Sequence, residues 1–434
     1  MSYRYKSAVE AEQEIARICY EMHETGFPFD YDSAKKLYSE VSDRIAEIDA
    51  LSEADFPPKI KRTQLKTKVR EDIIPFNPNS PKQIIDRLDE FGWKPTDKTH
   101  TGQWKITERN LSTLSPAAPE GARRLVERLL LRTRLSTLDQ WFGGYNPSTG
   151  RIHGKFTGIG TWTHRMSHTN PNMANIATEK SIKYKSPELA KLAMYYGKLF
   201  RSLWVAGEGN VLVGTDADGI QLRIFAHYIN DPQFTEALVN GNKDNGTDAH
   251  SVNARILGCD RDTAKTFIYA FLLGAGDRKL AEILGTAVIE GRQRKEAFIA
   301  AYPGLAQLKR SVIPADARRG YFEALDGRYI VIAGDTQRDR EHLALSGYLQ
   351  SGEAIVMKHA NILWRQNARA RDIDYWQVNF IHDEWQTIVS KYGDDGCTLG
   401  ALQEASISEV GQRLGCRCPL RGNYRIGENW YETH

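Results

Sequence analysis

The segment Asn379–Val389, NFIHDEWQTIV, sets the tightest limit on how this chain folds. Val378 to Ile381 and Trp385 to Val389 are rich in β-branched and aromatic residues, so both flanks read as strands that seek burial. Three ionisable residues, His382, Asp383 and Glu384, interrupt them. The break is too short for anything but a tight turn, which puts the acidic pair at the tip of a hairpin. Such a tip on its own is ordinarily just a polar turn. It becomes a functional centre only if a second carboxylate meets Asp383 and shares a metal with it.

The segment NVLVGTDADGIQLRIFAHY, Asn210–Tyr228, supplies a candidate. An apolar strand over Val211 to Gly214 leads to Asp216, and Ile220, Leu222, Ile224 and Phe225 mark an amphipathic helix beyond it. Asp218 with Gln221 three residues on has the pattern of a capping box, which accounts for both without any chemistry. Asp216 precedes that cap and is not explained by it. A strand-end Asp facing a hairpin-tip Asp suits two divalent metals, and carboxylate oxygens suit Mg²⁺ with substrate phosphates completing its shell.

A third segment, CDRDTAKTFIYAFLLGAGDRK, reads as a helix capped by Asp260 or Asp262 and ended by Gly274 and Gly276. Arg261, Lys265 and Tyr269 fall four apart along one stripe, beside an apolar face of Ala264, Phe267, Ile268 and Phe271. Two cations and then an aromatic ring match a triphosphate followed by a sugar or base. Taken alone, the stripe would more often be a solvated basic face.

With 434 residues the chain has room for two or three domains. Its net charge of +3 is too small to argue for a nucleic-acid partner. The run Lys59 to Arg70 is different, with six basic residues and no acid. It reads as a solvated loop or as a phosphate-contacting segment. Five cysteines without metal-ligand spacing point to free thiols in a reducing cytoplasm. The absence of a membrane-length apolar run and of a signal peptide leads to the expectation of a soluble intracellular protein without a membrane partner. Upstream, two helices broken at ETGFPFD, a short helix capped by Ser80 and opened by Pro81, and a long helix through EGARRLVERLLLRTRLSTLDQW make the first third mostly helical. Tyr145 to Ile176 reads as strands and extended loop.

Together and in this order, the three segments resemble the family A DNA polymerases, and RDTAKTFIYAFLLGAG is most similar to the bacteriophage branch. THRMSHTNPNMANI, LDGRYI, LQSGEAIVMK, NPNSPKQIIDRLDEFGWKPT and the closing GENWYETH also have counterparts there. The resemblance implies an α+β right-hand fold with an antiparallel-sheet palm and helical fingers and thumb. Its divisions would be thumb 1–146, palm 147–228 and 346–434, and fingers 229–345. It implies a template-directed DNA polymerase, DNA-binding and replicative, with primer–template DNA and dNTPs as partners and two Mg²⁺ ions as cofactors. The setting implied is the cytoplasm of a bacterial host.

The roles implied are specific. Asp216, Asp383 and the Ala217 carbonyl would hold the metals, with Glu384 close by. One metal would activate the primer 3′-hydroxyl and the other would carry the triphosphate. Lys265 would serve the α-phosphate, Arg261 and His250 the outer phosphates. Tyr269 would pack on the incoming sugar, and Gln221 would stand where the family has a Glu that blocks a ribose 2′-hydroxyl. Arg165 and Gln350 would donate to the minor groove of the nascent pair, His382 would approach the primer end, Arg201 would line the site, and Arg223 would support the palm. Lys59, Lys61 and Arg62 would grip duplex phosphates from the thumb tip.

Departures accompany the match. Gln221 replaces Glu, Leu273 replaces an aromatic, Ala270 replaces Gly, and His164 stands at the Gly of Thr-Gly-Arg. A thumb-like sequence starting near Met1 leads to the expectation of no proofreading domain, with a separate exonuclease or other replication proteins as partners. The C-terminus resembles the family's own end. Three other readings compete: a single-subunit RNA polymerase, disfavoured by Tyr269 and Gln221; a metal nuclease or phosphohydrolase, which leaves the helix stripe unused; and a polymerase-derived DNA-binding accessory protein, disfavoured by the intact Asp216, Asp383 and Lys265 set.

Overall fold

The two apolar flanks of the acidic tip pair as antiparallel strands, Tyr375–Ile381 with Glu384–Ser390, in the computed structural model of the chain. The structure describes residues 3–64, 69–95, 98, 101–174, 176 and 184–434. Asn210–Ala217 pairs with Glu384–Ser390 on one side and with Gly422–Gly427 on the other, giving a four-stranded antiparallel sheet. Both faces of this sheet are covered, which explains why its strands read as continuous apolar runs rather than alternating ones. Leu212, Val378 and Ile388 face one core, and their neighbours Val213 and Val389 face the other.

The first core joins the sheet to the helix Gln337–Arg369, 33 residues long and opened by a Thr336–Asp339 capping box, and to the helices of residues 220–319. The second lies under the pair Tyr31–Asp55 and Glu120–Gly144. Three charge pairs clamp that pair together: Arg124–Asp55 at 2.6 Å, Arg128–Asp49 at 2.5 Å and Arg44–Glu127 at 2.8 Å. Helix Tyr3–Thr25 packs elsewhere. Its Ile15, Ile18, Cys19 and Met22 enter the first core, and Glu12 pairs at 2.8 Å with Lys358 of the long helix, which is buried.

Two local expectations are corrected. The helix after Asp216 spans Ile220–Ile229 and begins at Gly219, whose φ of +56° suits glycine, with no side-chain cap. Asp218 instead bonds Arg223 five residues on, and Gln221 reaches the long helix, so neither makes the capping box. The described residues of the basic run are not a loop. Lys59–Gln64 and Val69–Ile74 form an antiparallel hairpin, since Ile60, Thr63, Val69, Ile73 and Ile74 give the segment strand character despite its charge. Residues 65–68, with Lys66 and Lys68, lie outside the described residues, as does Asn175 of the THRMSHTNPNMANI match. Ser80 and Asp260 cap their helices as the sequence indicates. All five cysteines are free thiols. Among the described residues no helix is long and apolar enough to cross a membrane.

Candidate active site

Asp216 and Asp383 meet because the end of the central strand is stitched to the hairpin tip. The Ala217 amide donates to the Asp383 carbonyl at 2.9 Å, and the next amide, that of Asp218, donates to the Arg421 carbonyl at 2.9 Å. Ile381 and Glu384 are the last paired residues of the hairpin, so His382 and Asp383 alone make the turn. His382 takes a φ of +48°, a strained conformation for a residue with a side chain. Burial pushes the Asp383 carboxyl well above its ordinary range, and the negative charges of Glu353 and Asp216 push it further. The Asp216 carboxylate reaches solvent but is hemmed in by protein. That crowding, with Glu384 opposite, raises its pKa to about 7. Two carboxylates that repel each other at the end of a sheet are a site short of positive charge.

Glu384 is turned to a different task. It is buried, and its carboxylate receives Trp430 Nε1, Gln386 Nε2 and His434 Nδ1. Arg201, also buried, lies over the Trp430 ring at 5.0 Å. Both sequence-predicted residues therefore hold the C-terminal segment against the sheet.

The stripe helix runs Arg261–Leu272. Arg261 is held by Asp248 at 2.9 Å, and Asp248 also caps the helix carrying His250. Burial would raise the Asp248 carboxyl, but bonds from Arg261 and Ser251 outweigh it and set it at about 2. The His250 and Tyr269 rings lie 6.1 Å apart, while Lys265 is exposed. Burial lowers the His250 pKa, and Arg261 and then Lys265 add to that, so the two cations and the ring share one neighbourhood. Burial raises the Tyr269 phenol, and the charges of Asp218 and then Asp383 add to that.

The last group surrounds the middle of the long helix. Arg165 pairs with Glu353 at 2.6 Å, and Gln221 donates to the same carboxylate at 2.7 Å. Gln350, one turn earlier, accepts from Thr163 at 3.3 Å. His382 shares a small cavity with Arg165, Met166 and Phe380, and burial followed by the Arg165 charge lowers its pKa to about 4. Arg223 is buried and bonds the Asp218 and Pro419 carbonyls, bracing the strand end. Glu353 and Asp248 were missed by sequence reasoning. A lone acid in the apolar run GEAIVM was the available signal for Glu353.

The model of DNA polymerase family A matches residues 50–432. The chain belongs to DNA polymerase family A. The DNA-directed DNA polymerases of Enterobacteria phage T3 and Escherichia phage T7 are each 28% identical to it over 391 residues, covering 83% of this chain and 53% of theirs. DNA polymerase I of Deinococcus radiodurans is 27% identical over 429 residues, covering 93% of this chain and 42% of its own. The chain thus spans about half the length of the curated relatives it matches. The right-hand polymerase fold is shared with a solved structure, the POL domain of Pol1 from M. smegmatis in complex with DNA primer-template and dNTP. The TM-score is 0.77 at 23% identity, covering 96% of this chain and 69% of that one.

In this family A chain the donor set fits hard cations. Among the described residues no three His, Cys, Asp or Glu side chains enclose a metal on their own. Two aspartates that repel each other leave coordination positions for substrate oxygens, as Mg²⁺ prefers. The basic hairpin is less free than its charge suggests. Lys59 pairs with Glu90 and Arg62 with Glu71, whereas Lys61 is exposed.

Proposed function

We propose that this chain is a template-directed DNA polymerase that extends a primer with deoxynucleoside triphosphates. The observation that carries the reading is the meeting of Asp216 and Asp383 beside the helix that bears Arg261, Lys265 and Tyr269. In this reading residues 1–146 act as thumb, 147–228 with 346–434 as palm, and 229–345 as fingers. Asp216, Asp383 and the Ala217 carbonyl would hold two Mg²⁺ ions, which supply the Lewis acidity for nucleotidyl transfer.

The side chains do the rest. Lys265, exposed on the stripe, neutralises charge on the α-phosphate. Arg261, held in place by Asp248, and His250 bind the outer phosphates. Tyr269 and Gln221 bound the sugar from two sides. Arg165 and Gln350 approach the minor-groove edge of the new pair, where every correct pair offers acceptors. His382 borders the primer end. Lys61, with Lys59 and Arg62 where their acidic partners yield, meets duplex phosphates. We assign extension alone to these residues.

Primer extension on a defined template, with dNTPs and NTPs compared, tests the reading. Extension with dNTPs in Mg²⁺ supports it. A wild-type protein that extends with neither, or with NTPs alone, overturns it.

A further inference from the structure

The long helix carries a carboxylate that the two-aspartate site does not use. Glu353 is 0% exposed. Its Oε1 stands 2.6 Å from Arg165 Nη2, and its Oε2 accepts both from Arg165 Nη2 and from Gln221 Nε2, each at 2.7 Å. Three separate segments converge there: the loop of Arg165, the helix after Asp216, and the long helix itself.

A carboxylate only accepts hydrogen bonds. Gln221 must therefore turn its amide nitrogen toward Glu353, which leaves its carbonyl oxygen facing the other way. Arg165 commits Nη2 to the same oxygen. Any shift of one donor alters the bond of the other, because both share Oε2. Burying an acid only to staple a helix is a poor use of it, since an apolar replacement commonly stabilises as well. Its closeness to the reacting centre is independent support: Arg165, which it holds, lines one small cavity with His382, the residue before Asp383.

We propose that Glu353 is a positioning residue that governs nucleotide selection, an inference that rests on the polymerase reading of Arg165 and Gln221. It holds the residue that reads the base pair and the residue beneath the sugar as one unit. A misaligned pair that displaces Arg165 is thereby felt at the sugar, and a bulky sugar that displaces Gln221 is felt at the pair.

The test is single-nucleotide insertion by wild type, Glu353→Gln, Gln221→Ala, Arg165→Ala and the two doubles that combine Glu353→Gln with each. Two ratios are read: dNTP over NTP, and matched over mismatched primer end. Glu353→Gln should lower both by about tenfold, the range expected when a buried charge-assisted pair is broken. It should lower the sugar ratio no further when Gln221 is already Ala, and the mismatch ratio no further when Arg165 is already Ala. A purely structural role predicts equal loss for all substrates and unchanged ratios. Unchanged ratios in a folded Glu353→Gln, or fully additive doubles, overturn the proposal. Should Glu353→Gln not fold, Glu353→Asp, which keeps the charge on a shorter stem, reads the same cycle with smaller losses and the same overturning outcome. A wild type that extends normally while the cycle is additive sinks this inference alone. A wild type that cannot extend sinks the polymerase reading with it.

Discussion

Glu384 stands directly opposite Asp216 across the central strand pair, yet its carboxylate belongs to the C-terminal segment. Trp430 at 2.5 Å, Gln386 at 2.7 Å and His434 at 2.9 Å fill its acceptor positions. Its role is therefore to fix the sheet end on which Asp216 sits. Glu384→Ala should lower unfolding free energy by about 3 kcal/mol, because buried donors lose a charged acceptor. Glu384→Gln should cost roughly half of that, since one acceptor oxygen stays. Urea unfolding measures both. Equal stability of wild type and Glu384→Ala would contradict the anchoring role.

Lys265 and Arg261 share one stripe but differ in support. Lys265 is exposed, whereas Arg261 is braced by Asp248. Lys265→Ala should slow the chemical step, and Arg261→Ala should raise the KM for dNTP by roughly tenfold, as loss of a charge-assisted phosphate contact does. Asp248→Asn should follow Arg261→Ala in kind, at smaller size. Single-turnover kinetics separate the two parameters, and an exchange of the two phenotypes would mean the stripe is misassigned.

Of the three residues assigned to the basic hairpin, Lys59 and Arg62 pair with acids, whereas Lys61 is exposed and has no ion pair among the described residues. Lys61→Ala should weaken primer–template binding for every sequence alike and reduce the salt slope by about one unit. Lys59→Ala should do less, since Glu90 already neutralises that charge. Fluorescence anisotropy at several salt concentrations decides; a larger effect from Lys59 would reverse the ranking.

Asp326 gives a pH dependence of stability. It is buried with Arg328 at 2.7 Å and His359 at 3.1 Å. Burial alone would raise its pKa, but the His359 and Arg328 contacts outweigh it and hold it at about 2. A depressed carboxyl stabilises the fold above its unfolded value near 4, and this contribution fades as pH falls from about 4 to about 2. It should amount to roughly 2 kcal/mol at neutral pH. Asp326→Asn should remove it, leaving the variant with a flatter stability profile between those pH values in chemical denaturation. An unchanged slope would show that the network does not contribute.

The sequence exposed the hairpin and the Asp216 strand because burial on both faces forces unbroken apolar runs, against which an acid stands out. The stripe helix was equally readable, since its chemistry repeats at the helical period. What failed was local inference where distant partners decide. Gln221 fits a capping box by spacing but is claimed by Glu353, 132 residues away, once Gly219 opens the helix without a side chain. The carboxylate that holds Arg165 could not be read locally, because it lies 188 residues on. The basic hairpin was hidden by charge, which masks the β-branched residues between. His164, where the family has Gly, adopts a φ of +62°, and its carbonyl accepts from Lys358 at 2.8 Å. The backbone there keeps a glycine-like conformation under a substituted side chain, something no spacing rule reports.

The central claim is that Asp216 and Asp383 form one catalytic pair. Its most direct test is extension of a labelled primer–template by wild type, Asp216→Asn and Asp383→Asn, with DNA affinity measured on the same preparations. The account predicts dNTP extension by wild type in Mg²⁺, no extension by either variant, and DNA binding within about threefold of wild type for both, since phosphate contacts come from basic groups elsewhere. Substantial extension by either variant, with its DNA binding intact, would contradict it.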